Sequence, residues 1–184
     1  YYHGYDSTKE IFWCDKETGR SKNYWLRALG WYSMGLLDTL TKADPEGYEK
    51  EFEELKKTFV DFIDSMIKFQ HESGMWYQCP ALGHLEPNYL ETSGSSIFAF
   101  SILRGVRLGF LPESYREYGI KAFNGVCDKY LKTENGELHL GGICLVAGLG
   151  PANNLRRDGS FEYYMSEPIV NDDAKGVGPF LLAY

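Results

Sequence analysis

Lys22 to Thr39 reads KNYWLRALGWYSMGLLDT, and the fold turns on what kind of helix this stretch makes. No Pro interrupts it, and Leu26, Leu29, Leu36, Leu37 and Leu40 are good helix formers. Trp25, Leu26, Leu29, Trp31, Tyr32, Met34 and Leu36 cannot share one stripe, so the helix is expected to be buried on most sides. Its first turn nevertheless carries Arg27, on one face with Trp31 four residues later. Helix capping does not account for Arg27, because the helix dipole disfavours a cation at an N-terminus.

Outward from this stretch, apolar spacing predicts alternating helix types. The first helix runs to about Ala43. Asp44 then reads as an N-cap, with Pro45 at the first position of a second helix reaching about His71. Phe52, Leu55, Phe59, Phe62, Met66 and Phe69 give that helix one apolar face, so it lies on the outside. MWYQC follows as a short extended piece. Ile97 to Leu108 is again apolar all round. Pro112 opens a fourth, amphipathic helix to about Leu131, which Asn135-Gly136 ends. ELHL and GGICLVAGL read as extended chain, then a long loop leads to GVGPFLLAY, a fifth apolar helical start. Tyr1 to Ser21 reads as loop with short extended pieces.

Glu72-Ser-Gly-Met-Trp and Glu134-Asn-Gly-Glu-Leu, 62 positions apart, punctuate the two outer helices alike. Buried and outer helices in alternation imply stacked hairpins. Inner helices this apolar suit a closed ring. The expected fold is therefore all-α, an α/α toroid (six-hairpin barrel). Residues 1–184 supply roughly its C-terminal half as part of a single domain. The chain starts without Met and ends inside an apolar pattern, so it is expected to be a piece of a longer protein, and one poorly soluble without its other half.

In such a ring the inner helices point one way and their first turns gather at one mouth. Arg27, Glu91, Thr92, Asp172, Asp173 and Lys175 cluster at those starts. Capping explains Thr92, Ser93 and Asp173 at least as well as ligand binding does. Arg27 suits a carboxylate or phosphate, Trp25 and Trp31 offer flat faces to a sugar ring, and His3 can donate or accept. The set fits an acidic sugar. Equally, Arg27 could pair with Glu91 or Asp173 across the mouth, with both indoles in the core.

Composition narrows the partners. A net charge of −7 with scattered basic residues argues against nucleic acid, and no apolar run is long enough for a membrane span. Fourteen Tyr, 11 Phe and 4 Trp fit a large core or an aromatic cleft, the core being the simpler account. Cys14, Cys79, Cys127 and Cys144 lack metal-ligand spacing, so neither a disulfide framework nor a metal is expected.

YYHGYD, WCDKETGRSKNYWLRALGW, ETSGSS and NDDAKGVGPFLLAY together resemble glycoside hydrolase family 105, the unsaturated rhamnogalacturonyl hydrolases, related to the family 88 unsaturated glucuronyl hydrolases. The resemblance spans the chain. It implies a pectin-lyase oligosaccharide with a Δ4,5-unsaturated uronate at its non-reducing end. An aspartic acid protonates C4, water adds at C5, and the hemiketal opens to release the sugar. No cofactor is implied. His3, Trp25, Arg27 and Trp31 match the family's binding positions. Thr92 and Lys175, at the same mouth, join them as candidate substrate contacts. Ala28 stands where the family often has Gly. The family's acid/base aspartates precede Tyr1, and Asp6 and Asp15 do not match them, so no catalytic residue is assigned. The alternatives are a non-catalytic sugar- or peptide-binding or scaffold toroid and a different α/α-barrel enzyme, either a lyase or an inverting glycosidase using Glu91 with Asp173, whose carboxylates would stand roughly 6.5–9.5 Å apart. A cytoplasmic location is expected, with the periplasm as the alternative.

Overall fold

The computed structural model describes residues 1–184 as a helical protein with two small β pairings. Helix α1 spans Leu26–Lys42, α2 Glu49–Ile67, α3 Thr92–Arg107, α4 Arg116–Tyr130, α5 Phe161–Met165 and α6 Ala174–Ala183. Strands β1 (Leu131–Glu134) and β2 (Glu137–Leu140) form a hairpin, and β3 (Ile143–Cys144) pairs with β4 (Ile169–Val170). The helices follow the α/α order, with hairpins α1–α2 and α3–α4 and then α6. No helix is long and apolar enough to cross a membrane.

Helix α3 is the centre. It packs against α1, α4 and α6, and thirteen of its sixteen residues are buried, so only its last turns see solvent. Phe98, Ile102 and Ala99 meet Leu26 and Leu37 of α1, Phe59 and Ile63 of α2, and Trp76 in one apolar core. Helix α2 buries Phe59, Phe62, Ile63 and Met66 and turns its charges outward, as an outer helix should.

Several expectations need correction. Helix α1 is not buried on most sides. Trp31, Tyr32, Gly35 and Thr39 are exposed on one side: Tyr32 leans on Tyr1 and Phe62, but a Cβ at Gly35 would meet nothing within 4 Å. Pro45 does not open α2. Asp44 accepts from the Glu46 N–H at 3.0 Å, Gly47 takes φ +80°, and the turn delays the helix to Glu49. Helix α3, by contrast, begins at Thr92, within the first turn expected at 90–96, and Glu91 caps it. Asn135-Gly136 does not end α4 but turns the β1–β2 hairpin, with φ of 52° and 85° at its two residues. An Asn-Gly pair is the preferred two-residue hairpin turn, so Leu131–Glu134 is strand. The punctuation after the outer helices is therefore not a true repeat. After α2 the chain makes a tight turn at Gly74, a single bridge from Tyr77 to Leu90 and a short 3-10 turn at Pro80–Leu82, with no hairpin. The long loop also contains α5, capped by the Ser160 hydroxyl.

Candidate active site

One strap of chain, Leu140 to Leu145, ties together the starts of the three inner helices. At α6, Asp172 Oδ1 accepts from Leu140 N at 2.7 Å, and Asp172 N donates to Leu140 O at 2.9 Å. At α3, Thr92 donates from N to Gly142 O (2.9 Å) and from Oγ1 to Gly141 O (2.6 Å). At α1, Arg27 Nη1 donates to Cys144 O at 2.5 Å and Nη2 to Leu145 O at 3.4 Å. The expected convergence of first turns at one end is present, and the strap explains the polar residues found there.

Glu91 organises the middle of this end. It is fully buried, and its carboxylate accepts from Ser93 N (3.1 Å), Ser93 Oγ (2.7 Å), Gly94 N (2.7 Å) and Cys144 N (3.0 Å). An acceptor at the positive end of α3 satisfies donors that burial would otherwise leave unpaired. Arg27 reaches it indirectly, since Nη1 also donates to Ser93 Oγ at 3.1 Å. Neither suggested direct partner of Arg27 is met: Asp173 instead caps α6 and holds the Lys175 ammonium at 2.7 Å. Of the residues weighed as caps, Asp173 is one, whereas Thr92 and Ser93 lie inside α3 behind Glu91.

Beside this polar knot stands an aromatic stack. Arg27 lies over the Trp25 ring at 4.9 Å, within cation–π range. Trp25 stacks on Tyr164 with centroids 6.3 Å apart, and His3 sits 4.9 Å from Trp25. Trp25 Nε1 donates to Gln78 Oε1 at 3.1 Å, which fixes the indole. His3 Nδ1 and Tyr164 Oη are 2.5 Å apart. Burial lowers the His3 pKa to about 4, so the ring is neutral at pH 7. Burial drives the Tyr164 pKa upward, so the phenol keeps its proton. When that proton is given to Nδ1, His3 presents Nε2–H outward.

The structure thus brings His3, Trp25 and Arg27 together. Trp31 stands on the open face of α1, 43% exposed and outside the stack. Thr92 and Lys175 stand at the same end but are committed to the strap and to Asp173. Tyr164, Gln78, Ser93 and the Cys144 and Leu145 carbonyls were not singled out from sequence.

None of the aspartates, cysteines or histidines singled out around this cluster stands ready as a proton donor at neutral pH. Asp6 and Asp15 sit in surface turns where N–H and hydroxyl donors, first Ile11 for the one and Thr18 for the other, lower their pKa values; they stay ionised. Burial pushes Cys79 up to about 12 and Cys144 upward too, so neither buried thiol is a nucleophile at neutral pH. His3 is already deprotonated there.

A helical-hairpin protein with an aromatic and cationic knot at the ends of its inner helices has the outline of an α/α glycoside hydrolase. The profile of Glycosyl Hydrolase Family 88 matches residues 1–184, and the chain belongs to that family. It is 38% identical over 189 residues to the 24.9 kDa protein in the picA locus of Rhizobium radiobacter, all of this chain aligning with 80% of that one. Among solved structures, a family 105 glycoside hydrolase from C. acetobutylicum ATCC 824 superposes with TM-score 0.92 at 44% identity, across 99% of this chain and 50% of that one. The unsaturated glucuronyl hydrolase of Bacillus sp. GL1 shares the fold at 17% identity, with TM-score 0.59 over 96% of this chain and 48% of its own. The chain spans about half the length of these solved relatives.

Proposed function

We propose that this chain forms the uronate-binding half of an unsaturated uronyl hydrolase, and that its helices make up about half of an α/α toroid. The observation that carries this is the His3–Trp25–Tyr164 stack with Arg27 beneath it, at the joined starts of α1, α3 and α6. A pyranose ring lies against the stack through the accessible edge of His3, whose Nε2–H donates to it. Arg27 is 1% exposed and sets a positive field under Trp25, favouring a carboxylate over a neutral sugar. Trp31 meets the substrate from the open face of α1. Thr92 and Lys175 act by holding the strap and the first turn of α6. The proton for C4 of the unsaturated ring comes from a carboxyl group outside these residues. Water then adds at C5 and the hemiketal opens, releasing the next sugar. The proposed substrate is a pectin-derived, rhamnogalacturonan oligosaccharide.

The test follows the double-bond absorbance of a lyase-generated unsaturated rhamnogalacturonan disaccharide, with the glucuronyl analogue beside it. The full-length protein is expected to consume the first. Arg27→Met removes the positive field beneath Trp25, so KM should rise about tenfold in protein that remains folded. Persistence of both double bonds with folded protein would sink the proposal.

A further inference from the structure

Behind the stack lies a second aromatic surface. Chain segments 3–6 and 19–23 run side by side, with Ser21 N donating to Gly4 O at 2.9 Å and Asp6 N to Gly19 O at 2.8 Å. Extended chain sends neighbouring side chains to opposite faces. His3 and Trp25 turn inward to the stack, while their neighbours Tyr2, Gly4 and Tyr24 line a groove of about 480 Å³ with Tyr1, Tyr5 and Arg20. That volume suits a small ligand.

Tyr2 and Tyr24 brace each other, with centroids 4.6 Å apart. Tyr5 remains 66% exposed and offers a free ring face, while Gly4 is packed against Leu149 and Trp13. The Arg20 guanidinium lies 5.5 Å from the Tyr2 ring and takes part in no ion pair. The acidic groups nearest in sequence are engaged elsewhere. Asp6 accepts from Thr8, Glu10 and Ile11, and Asp15 from Glu17 and Thr18. A flat apolar face beside an unpaired guanidinium recognises a pyranose bearing a carboxylate.

We propose that the Tyr2–Tyr5–Tyr24–Arg20 groove is a second binding site for uronate-bearing oligosaccharide, separate from the stack around His3. The choice of a uronate rests on the function proposed above. Tyr5 stacks on the sugar ring and Arg20 pairs with its carboxylate.

Calorimetric titration of the full-length protein with a saturated galacturonate trimer tests this. A neutral trimer of the same length serves as control. The saturated sugar has no double bond, so its binding is independent of whether the hydration chemistry is right. Arg20→Met should weaken the acidic trimer about tenfold and leave the neutral one unchanged. Tyr5→Ala should weaken both. Absence of trimer binding by the parent protein, equal affinities of parent and Arg20→Met, or equal loss for acidic and neutral sugars would each overturn the proposal.

Discussion

Helices α1 and α3 look alike in sequence, apolar on every side and sprinkled with Ser and Gly, yet they live in different surroundings. Helix α3 is flanked by α1, α4 and α6 and buries almost its whole circumference. Helix α1 has α2 and α3 for neighbours and leaves Trp31, Tyr32, Gly35 and Thr39 open. Apolarity all round states what a helix can tolerate, whereas its neighbours decide which sides are used. The difference extends to glycine. A Cβ on Gly94 of α3 would come within 2.4 Å of Leu26 Cγ, while one on Gly35 of α1 would meet nothing within 4 Å.

The largest break in this comparison is at Phe98, fully buried in α3 and packed on Trp76 with centroids 5.2 Å apart. Phe98→Ala should cost about 3–5 kcal/mol in denaturant unfolding, since the site is hemmed in and cannot collapse. A loss below ~1 kcal/mol would mean that α3 is not the centre. Gly94→Ala should cost less, about 1–3 kcal/mol, by pushing the first turns of α3 and α1 apart. The same thermal or chemical melt reads it, and a neutral result would contradict the close approach to Leu26.

A third test concerns the entrance to α1, which rests on a titratable stack. The folded-state pKa of His3, about 4, lies below the unfolded value of 6.5, because burial opposes the charge. Its contribution is therefore complete above pH 6.5 and is lost as pH falls towards 4. For a half-buried ring the loss is on the order of 1 kcal/mol. His3→Gln should flatten that part of the stability–pH curve, and an unchanged slope would show that His3 is open to solvent. His139 has the opposite sign: its hydrogen bond to Asp172 raises its pKa, so that contact weakens as pH rises through the raised value.

Helix period made α1, α2, α3 and α4 legible, and it placed Arg27 at a crowded helix start. The first turn of α3, LETSGSS at 90–96, was legible as the start of an inner helix, but the reason for its small residues was not. Those residues are small since they lie against neighbours: Gly94 against Leu26, and Ser95 Oγ accepting from Trp76 N at 3.0 Å. The β1–β2 hairpin could have been read from Asn135-Gly136. The partners of the site could not. His3 meets Tyr164 across 161 residues and Arg27 meets Cys144 across 117, and no local pattern encodes such contacts. The motif supplied one side of each pair, and only the fold supplied the other.

The smallest effect is also the most discriminating. Gly35 sits mid-helix on the open stripe of α1, with empty space where a Cβ would go. In this chain alone, Gly35→Ala should raise stability by about 0.5–1 kcal/mol, since Ala gives up less backbone freedom on entering a helix. In a closed toroid another inner helix would lie against that stripe beyond Trp31, at Gly35 and Thr39, and the small residue would then mark its point of approach. The same substitution in the full-length protein should therefore destabilise it, as Gly94→Ala does here. A gain in both contexts would leave α1 with an open face and remove the toroid reading, while opposite signs would show that the stripe is where the ring closes.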